Sequence, residues 1–96
     1  MKEVQRIIPI FESEKIINLN IYKMGNLLFI SFGIDNKTLS SFEKLIEFPN
    51  NIIAKEDFRI YCGVKMLYFP RGGNIIKWSS STTQIVDGTV NATVFI

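Results

Sequence analysis

Apolar and polar residues alternate along most of this chain with a period of two, the pattern of strands that bury one face. Ile17, Leu19 and Ile21 alternate with Asn18, Asn20 and Tyr22. Lys23-Met24-Gly25-Asn26 follows, and Gly25 can take the positive φ of a tight turn. Leu27 to Ile34 then runs back as a segment rich in strand formers, so 17–34 is expected to be a hairpin. Asp35-Asn36-Lys37-Thr38 reads as the next turn. Ser40 to Phe48 carries two signals. Ser40 and Glu43 have capping-box spacing, while the surrounding pattern favours a strand over Lys44 to Phe48. Pro49-Asn50-Asn51 breaks the chain.

Phe58, Ile60, Cys62, Val64 and Met66 share one face of a long alternating run, with Arg59, Tyr61, Gly63 and Lys65 on the other. It predicts a single strand. Pro70-Arg71-Gly72-Gly73-Asn74 is dense turn chemistry, and Ile75 to Ser79 is a shorter strand. Asp87-Gly88 is a two-residue hairpin signal joining Gln84-Ile85-Val86 to an alternating C-terminal strand. The sum is an all-β domain of about six to eight short strands, expected as a small antiparallel sandwich or jelly roll. No alternation of helix and strand points to a parallel sheet.

Composition narrows the picture. Ninety-six residues fit one domain, 1–96, with residues 1–12 either part of it or a linker or shoulder segment leading in. Hydrophobic residues make up 47%, with eight Phe, three Tyr and one Trp. So much apolar area in a small domain points to subunit contact; the alternative is a packed monomer with some apolar surface. The formal charge is +2, with no long run of like charge, so no charged tail and no basic stripe for nucleic acid is expected. The N-terminal residues lack the apolar stretch of a signal peptide, and Leu27 to Ile34 is too short to span a bilayer.

Candidate chemistry is sparse. The chain has no His, the commonest general base and metal ligand. Cys62 is the only cysteine, which leaves no intrachain disulfide and no thiolate metal cluster; its alternating neighbours make it a buried structural thiol. Glu12 with Glu14, Glu43 with Glu47, and Glu56 with Asp57 are the carboxylate pairs available for glycosidase chemistry, and each reads as surface. Asn91-Ala92-Thr93 matches a glycosylation triplet but lies in a strand pattern. No catalytic residue, metal site or cofactor is expected. The remaining chemistry is aromatic and polar. Trp78, the only Trp, follows an Arg-bearing loop and is either a ligand platform or a core residue. Tyr61, Tyr68, Arg71 and Asp87 are weaker ligand candidates of the same kind.

The order of motifs carries one resemblance. Lys23-Met24-Gly25-Asn26-Leu27-Leu28-Phe29-Ile30-Ser31-Phe32 is followed by Leu45-Ile46-Glu47-Phe48-Pro49-Asn50-Asn51, a long strand, a polar loop and Ile85-Val86-Asp87-Gly88-Thr89-Val90. Over residues 15–96 this resembles the C-terminal head domain of bacteriophage tail-fibre and baseplate receptor-binding proteins. Many such heads have a second Pro soon after the first, which Glu56-Asp57-Phe58-Arg59 lacks. The resemblance implies a homotrimer at the virion tail tip that recognises a host cell-surface saccharide; the residues themselves lead to the expectation of no nucleic acid, no membrane insertion and no enzymatic role. The contrasting expectation is a structural β module of a phage or viral assembly with no glycan ligand.

Overall fold

The structure, a computed structural model, describes residues 3–96. Among these there is no helix. Nine strands form two antiparallel sheets: β1 (Val4–Arg6), β2 (Phe11–Glu12), β3 (Ile17–Met24), β4 (Leu27–Leu39), β5 (Lys44–Glu47), β6 (Phe58–Cys62), β7 (Lys65–Phe69), β8 (Ile75–Trp78) and β9 (Gln84–Phe95). The four-stranded sheet has the order β1-β3-β4-β9, and the five-stranded sheet β2-β5-β8-β7-β6. Their inner faces share one apolar core, as in a β-sandwich. Of the segment expected to lead into the domain, residues 4–12 supply β1 and β2, which pair with β3 and β5. Residues 1 and 2 lie outside the described residues.

The β3–β4 hairpin turns at Gly25, whose φ is +62°, as its sequence predicts. A bulge interrupts β3 between Ile17 and Asn20, with Asn18 at φ +56°. One extra residue reverses which side chains face inward. Ile16 therefore enters the core, while Ile17 remains 46% exposed on the opposite face, against Gly33.

Two expected turns are not turns. Asp35-Asn36-Lys37-Thr38 lies within β4, and Asp87-Gly88 lies within β9; the two strands pair from Leu27↔Phe95 to Leu39↔Gln84. The register shifts once, between Ile34 and Lys37, where Asn36 has φ +47°. The Asp87 carboxylate accepts the Asn36 backbone N–H at 3.1 Å and so satisfies a donor at the bulge. The shift moves the inward parity from Leu28, Ile30, Phe32 and Ile34 to Leu39, all buried. Residues that favour hairpin turns here make a bulge in one long ribbon.

The long strand expected over 58–66 is instead the β6–β7 hairpin. Gly63-Val64 forms its two-residue loop, with Gly63 at φ +61° in the first central position, as in a type II′ turn. Cys62 pairs with Lys65, so the inward parity passes to Leu67 and Phe69; Val64 is 92% exposed at the tip. This turn packs on the bend of β9. A Cβ added at Gly88 would lie 2.4 Å from the Gly63 backbone N, and one at Gly63 would lie 2.4 Å from the Asp87 carbonyl oxygen. Two glycines are thus needed for two backbones to touch.

Lys44–Glu47 forms a strand, the outcome favoured for the ambiguous segment. The capping-box residues do meet: the Ser40 N–H donates to Glu43 Oε1 at 3.0 Å, and the Glu43 N–H to the Ser40 carbonyl at 3.1 Å. They close a single turn, after which a register shift between Lys44 and Ile46 buries Leu45 and Ile46 side by side. Pro49 follows β5 and Gly25-Asn26 makes the β3–β4 turn, whereas Asp87-Gly88 makes no hairpin.

Candidate functional site

The five sequence-nominated residues divide between three places. Trp78 is in the core: it is 3% exposed, and its Nε1–H donates to the Thr82 carbonyl at 2.8 Å. Its strand alternates Ile76 and Trp78 inward with Ile75 and Lys77 outward, and the polar serines that follow belong to a loop. Trp78 is therefore not an exposed platform. Asp87 lies on β9, held by the Asn36 N–H. Tyr61, Tyr68 and Arg71 belong to the outer side of the five-stranded sheet.

Tyr68 and Arg71 meet at Asp57, which sequence reasoning treated only as one of a carboxylate pair. The Tyr68 hydroxyl and the Arg71 backbone N–H both donate to Asp57 Oδ1, at 2.9 and 2.8 Å. The Arg71 N–H, then the Tyr68 hydroxyl, hold the Asp57 carboxyl below its usual range, and the positive charges of Arg59 and Arg71 add to this. The same hydrogen bond to Asp57 pushes the Tyr68 phenol up. The Arg59 guanidinium lies 4.8 Å from the Tyr68 ring centroid. Tyr61, two residues along β6, stands 63% exposed.

The residues missed by sequence reasoning are on the outer face of the four-stranded sheet. Two adjoining open depressions, about 310 and 540 Å³, share Asn20, Ser31 and Asn91. The register explains the grouping. Asn20 pairs with Ser31 and Ser31 with Asn91, so one row crosses three strands. The next row is Tyr22, Phe29 and Thr93. Toward the β4 bulge the floor continues through Gly33 and Thr89 to Asp35 and Asp87. Amides and hydroxyls both donate and accept, and Tyr22 with Phe29 supplies apolar ring area. Such a face can hydrogen-bond a polyhydroxylated ligand and pack its C–H surface. The volumes lie within the roughly 300–1,000 Å³ of small-molecule sites. The signal was present as the polar half of the strand alternation: Asn18, Asn20, Ser31, Asn91 and Thr93 all point away from the core.

Among the described residues no three metal-ligating side chains cluster. Cys62 is fully buried, and burial, with the negative charge of Asp87 adding, pushes its thiol up and away from the reactive thiolate. Glu43 is engaged by the Ser40 N–H and by Lys15 Nζ at 2.9 Å. Partial burial raises its carboxyl, but these contacts outweigh that and hold it below the usual value. Glu47 is paired with Lys44 at 2.8 Å. No helix of the described residues is long and apolar enough to cross a membrane. Comparison with protein-family models returns no match, and comparison with curated proteins returns none.

Proposed function

We propose that this chain is a non-catalytic saccharide-binding module, the receptor-binding head of a phage tail or baseplate, and that its ligand lies on the outer face of the four-stranded sheet. The observation that carries the reading is the Asn20–Ser31–Asn91 row beside Tyr22 and Phe29. Neutral donors and acceptors on rigid paired strands suit sugar hydroxyls, and the adjoining rings suit a sugar's apolar face. The phage context rests on the motif order.

A homotrimer fits the same reading. Val4, Ile8, Ile10, Ile85 and Phe95 are each at least half exposed and lie outside the proposed ligand face, so they are free to meet another subunit. Three copies would also multiply a weak sugar affinity. The test is binding of a panel of neutral bacterial-envelope oligosaccharides to wild type, Tyr22→Ala and Asn91→Ala, with thermal melts alongside. Each variant is expected to lose about tenfold in affinity, the worth of about one hydrogen bond or ring contact, with the melt unchanged. Wild-type affinity in both variants would remove the site. A trimer in light scattering that binds none of the panel would favour the structural assembly module instead.

A further inference from the structure

The outer face of the five-stranded sheet carries a different chemistry. Lys44 pairs with Lys77, Lys77 with Tyr68, and Tyr68 with Arg59, so one register row crosses four strands. All four side chains point away from the core, since their strand neighbours Leu45, Ile76, Leu67 and Ile60 are buried. At about 4.8 Å per strand the row is roughly 14 Å long. Arg71 borders it beside Asp57. At its Lys44 end the row adjoins the carboxylates of Glu12, Glu14, Glu43 and Glu47, while its other end, Lys77, Arg59 and Arg71, has Asp57 alone beside it. Glu47 is taken by Lys44, and Asp57 by the Tyr68 hydroxyl and the Arg71 backbone N–H. Of the described residues, the ion pairs are Lys15–Glu43 and Lys44–Glu47, which leaves Lys77, Arg59 and Arg71 without one.

This arrangement is costly without an anion. Like charges directly opposite on paired strands, as at Lys44 and Lys77, oppose sheet pairing. The sheet offsets part of the cost with aromatic rings. Lys44 Nζ lies 4.6 Å from the Phe11 ring, Lys77 Nζ 5.6 Å from Phe42, and the Arg59 guanidinium 4.8 Å from Tyr68. These contacts hold the cations down on the sheet; Lys44 is already paired with Glu47, whereas Lys77 and Arg59 keep no salt bridge and remain for an anionic polymer.

We infer that this row is a second binding face, for an anionic polysaccharide lying across the strands. Its groups are set by charge: Lys77 and Arg59 contact sulfate or carboxylate groups, and the Arg59 fork can take two oxygens of one group. Single-stranded nucleic acid is the less suited polyanion. Its binding sites rely on a run of open rings for base stacking, whereas the one ring in this row, Tyr68, and the flanking Phe11 and Phe42 each have a cation over them. The exposed Tyr61 leaves one ring, enough for a single sugar face. The inference does not depend on the neutral-sugar face of the other sheet.

The test is titration of the purified chain with dextran sulfate, uncharged dextran and poly-dT in 50 mM and 300 mM NaCl. Wild type is expected to bind dextran sulfate, to ignore dextran, and to lose affinity at least tenfold at the higher salt. Arg59→Ala/Lys77→Ala should weaken dextran sulfate binding at least tenfold. Lys23→Ala/Lys37→Ala removes the same charge from the four-stranded sheet and should change it less than twofold. Equal losses in the two double variants would reduce the site to net charge and overturn the inference, as would no loss in the first. Tighter binding of poly-dT than of dextran sulfate would make the face a nucleic-acid site and also overturn it. Tyr22→Ala should leave dextran sulfate binding intact, which separates failure here from failure of the neutral-sugar site.

Discussion

Gly88→Ala tests the contact on which the bent ribbon and the β6–β7 hairpin depend. Two costs add. Gly88 has φ +151°, a conformation that costs an L side chain about 1–3 kcal/mol. The new Cβ would also lie 2.4, 2.7 and 2.9 Å from Gly63 N, Gly63 Cα and Cys62 C. All three are backbone atoms, so no rotamer change relieves them, and the hairpin must move by about an ångström. Overpacking of this kind costs about 1–3 kcal/mol. The sum, about 2–6 kcal/mol, compares with roughly 5–14 kcal/mol of total stability for a chain of this length. The assay is urea and thermal unfolding followed by the fluorescence of Trp78, the single buried Trp. At about 4–8 °C per kcal/mol the melting temperature should fall by at least ~8 °C. Gly72→Ala supplies the reference: φ is +76° there, but nothing lies within 4 Å of the added Cβ, so it carries the backbone cost alone. A Gly88→Ala loss no greater than that of Gly72→Ala would refute the close-approach argument.

Trp78→Ala should destabilise by about 3–5 kcal/mol, because it empties a core position and orphans the Thr82 carbonyl; a loss under 1 kcal/mol in urea would contradict its burial. Native wild type should emit at a blue-shifted wavelength for the same reason. Cys62 should react with a thiol reagent only as fast as the hairpin opens, and faster in Gly88→Ala; rapid native labelling would contradict a fully buried thiol. Glu43 and Asp57 have folded pKa values below their ordinary ones, so their stabilising contribution is present above the ordinary carboxylate range and is lost as pH falls through the folded values. Glu43→Gln and Asp57→Asn should each be less stable than wild type at pH 7, with the difference narrowing under acid. A difference that widens as pH falls would reverse the sign of the argument.

The sheet architecture was readable wherever one face of a strand is apolar, since period-two burial is local. It failed at points where backbone conformation, not side-chain polarity, decides the outcome. Asp35-Asn36 and Asp87-Gly88 carry the residues that tolerate positive φ. That tolerance serves a turn or a bulge equally well, and the choice between them depends on whether a partner strand runs alongside. β4 and β9 are each other's partner over their full lengths, a long-range fact absent from either segment. Gly63 was hidden for the opposite reason. A two-residue loop keeps the alternation regular enough to look like one strand, while passing the inward set to Leu67 and Phe69.

The candidate sites follow the same division. Trp78, the only Trp, follows an Arg-bearing loop and precedes Ser79 to Ser81, a polar setting that suits a ligand platform as well as a core residue. Those serines are where β8 ends, and the parity set by Ile76 had already assigned the Trp to the core. A ligand face on a sheet is a property of rows, not of segments. Asn20, Ser31 and Asn91 are scattered in sequence and unremarkable singly; only antiparallel register brings them side by side. The same holds for Lys44, Lys77 and Arg59 on the other sheet. Outward positions of a strand are conventionally treated as solvent contacts, yet here they divide by sheet into an amide-hydroxyl field bordered by Asp35 and Asp87 and a cationic row. Binding at the cationic row should weaken with salt while binding at the amide-hydroxyl face should change little, so salt separates the two even though Arg59 and Tyr61 share a depression with Asn91 and Thr93.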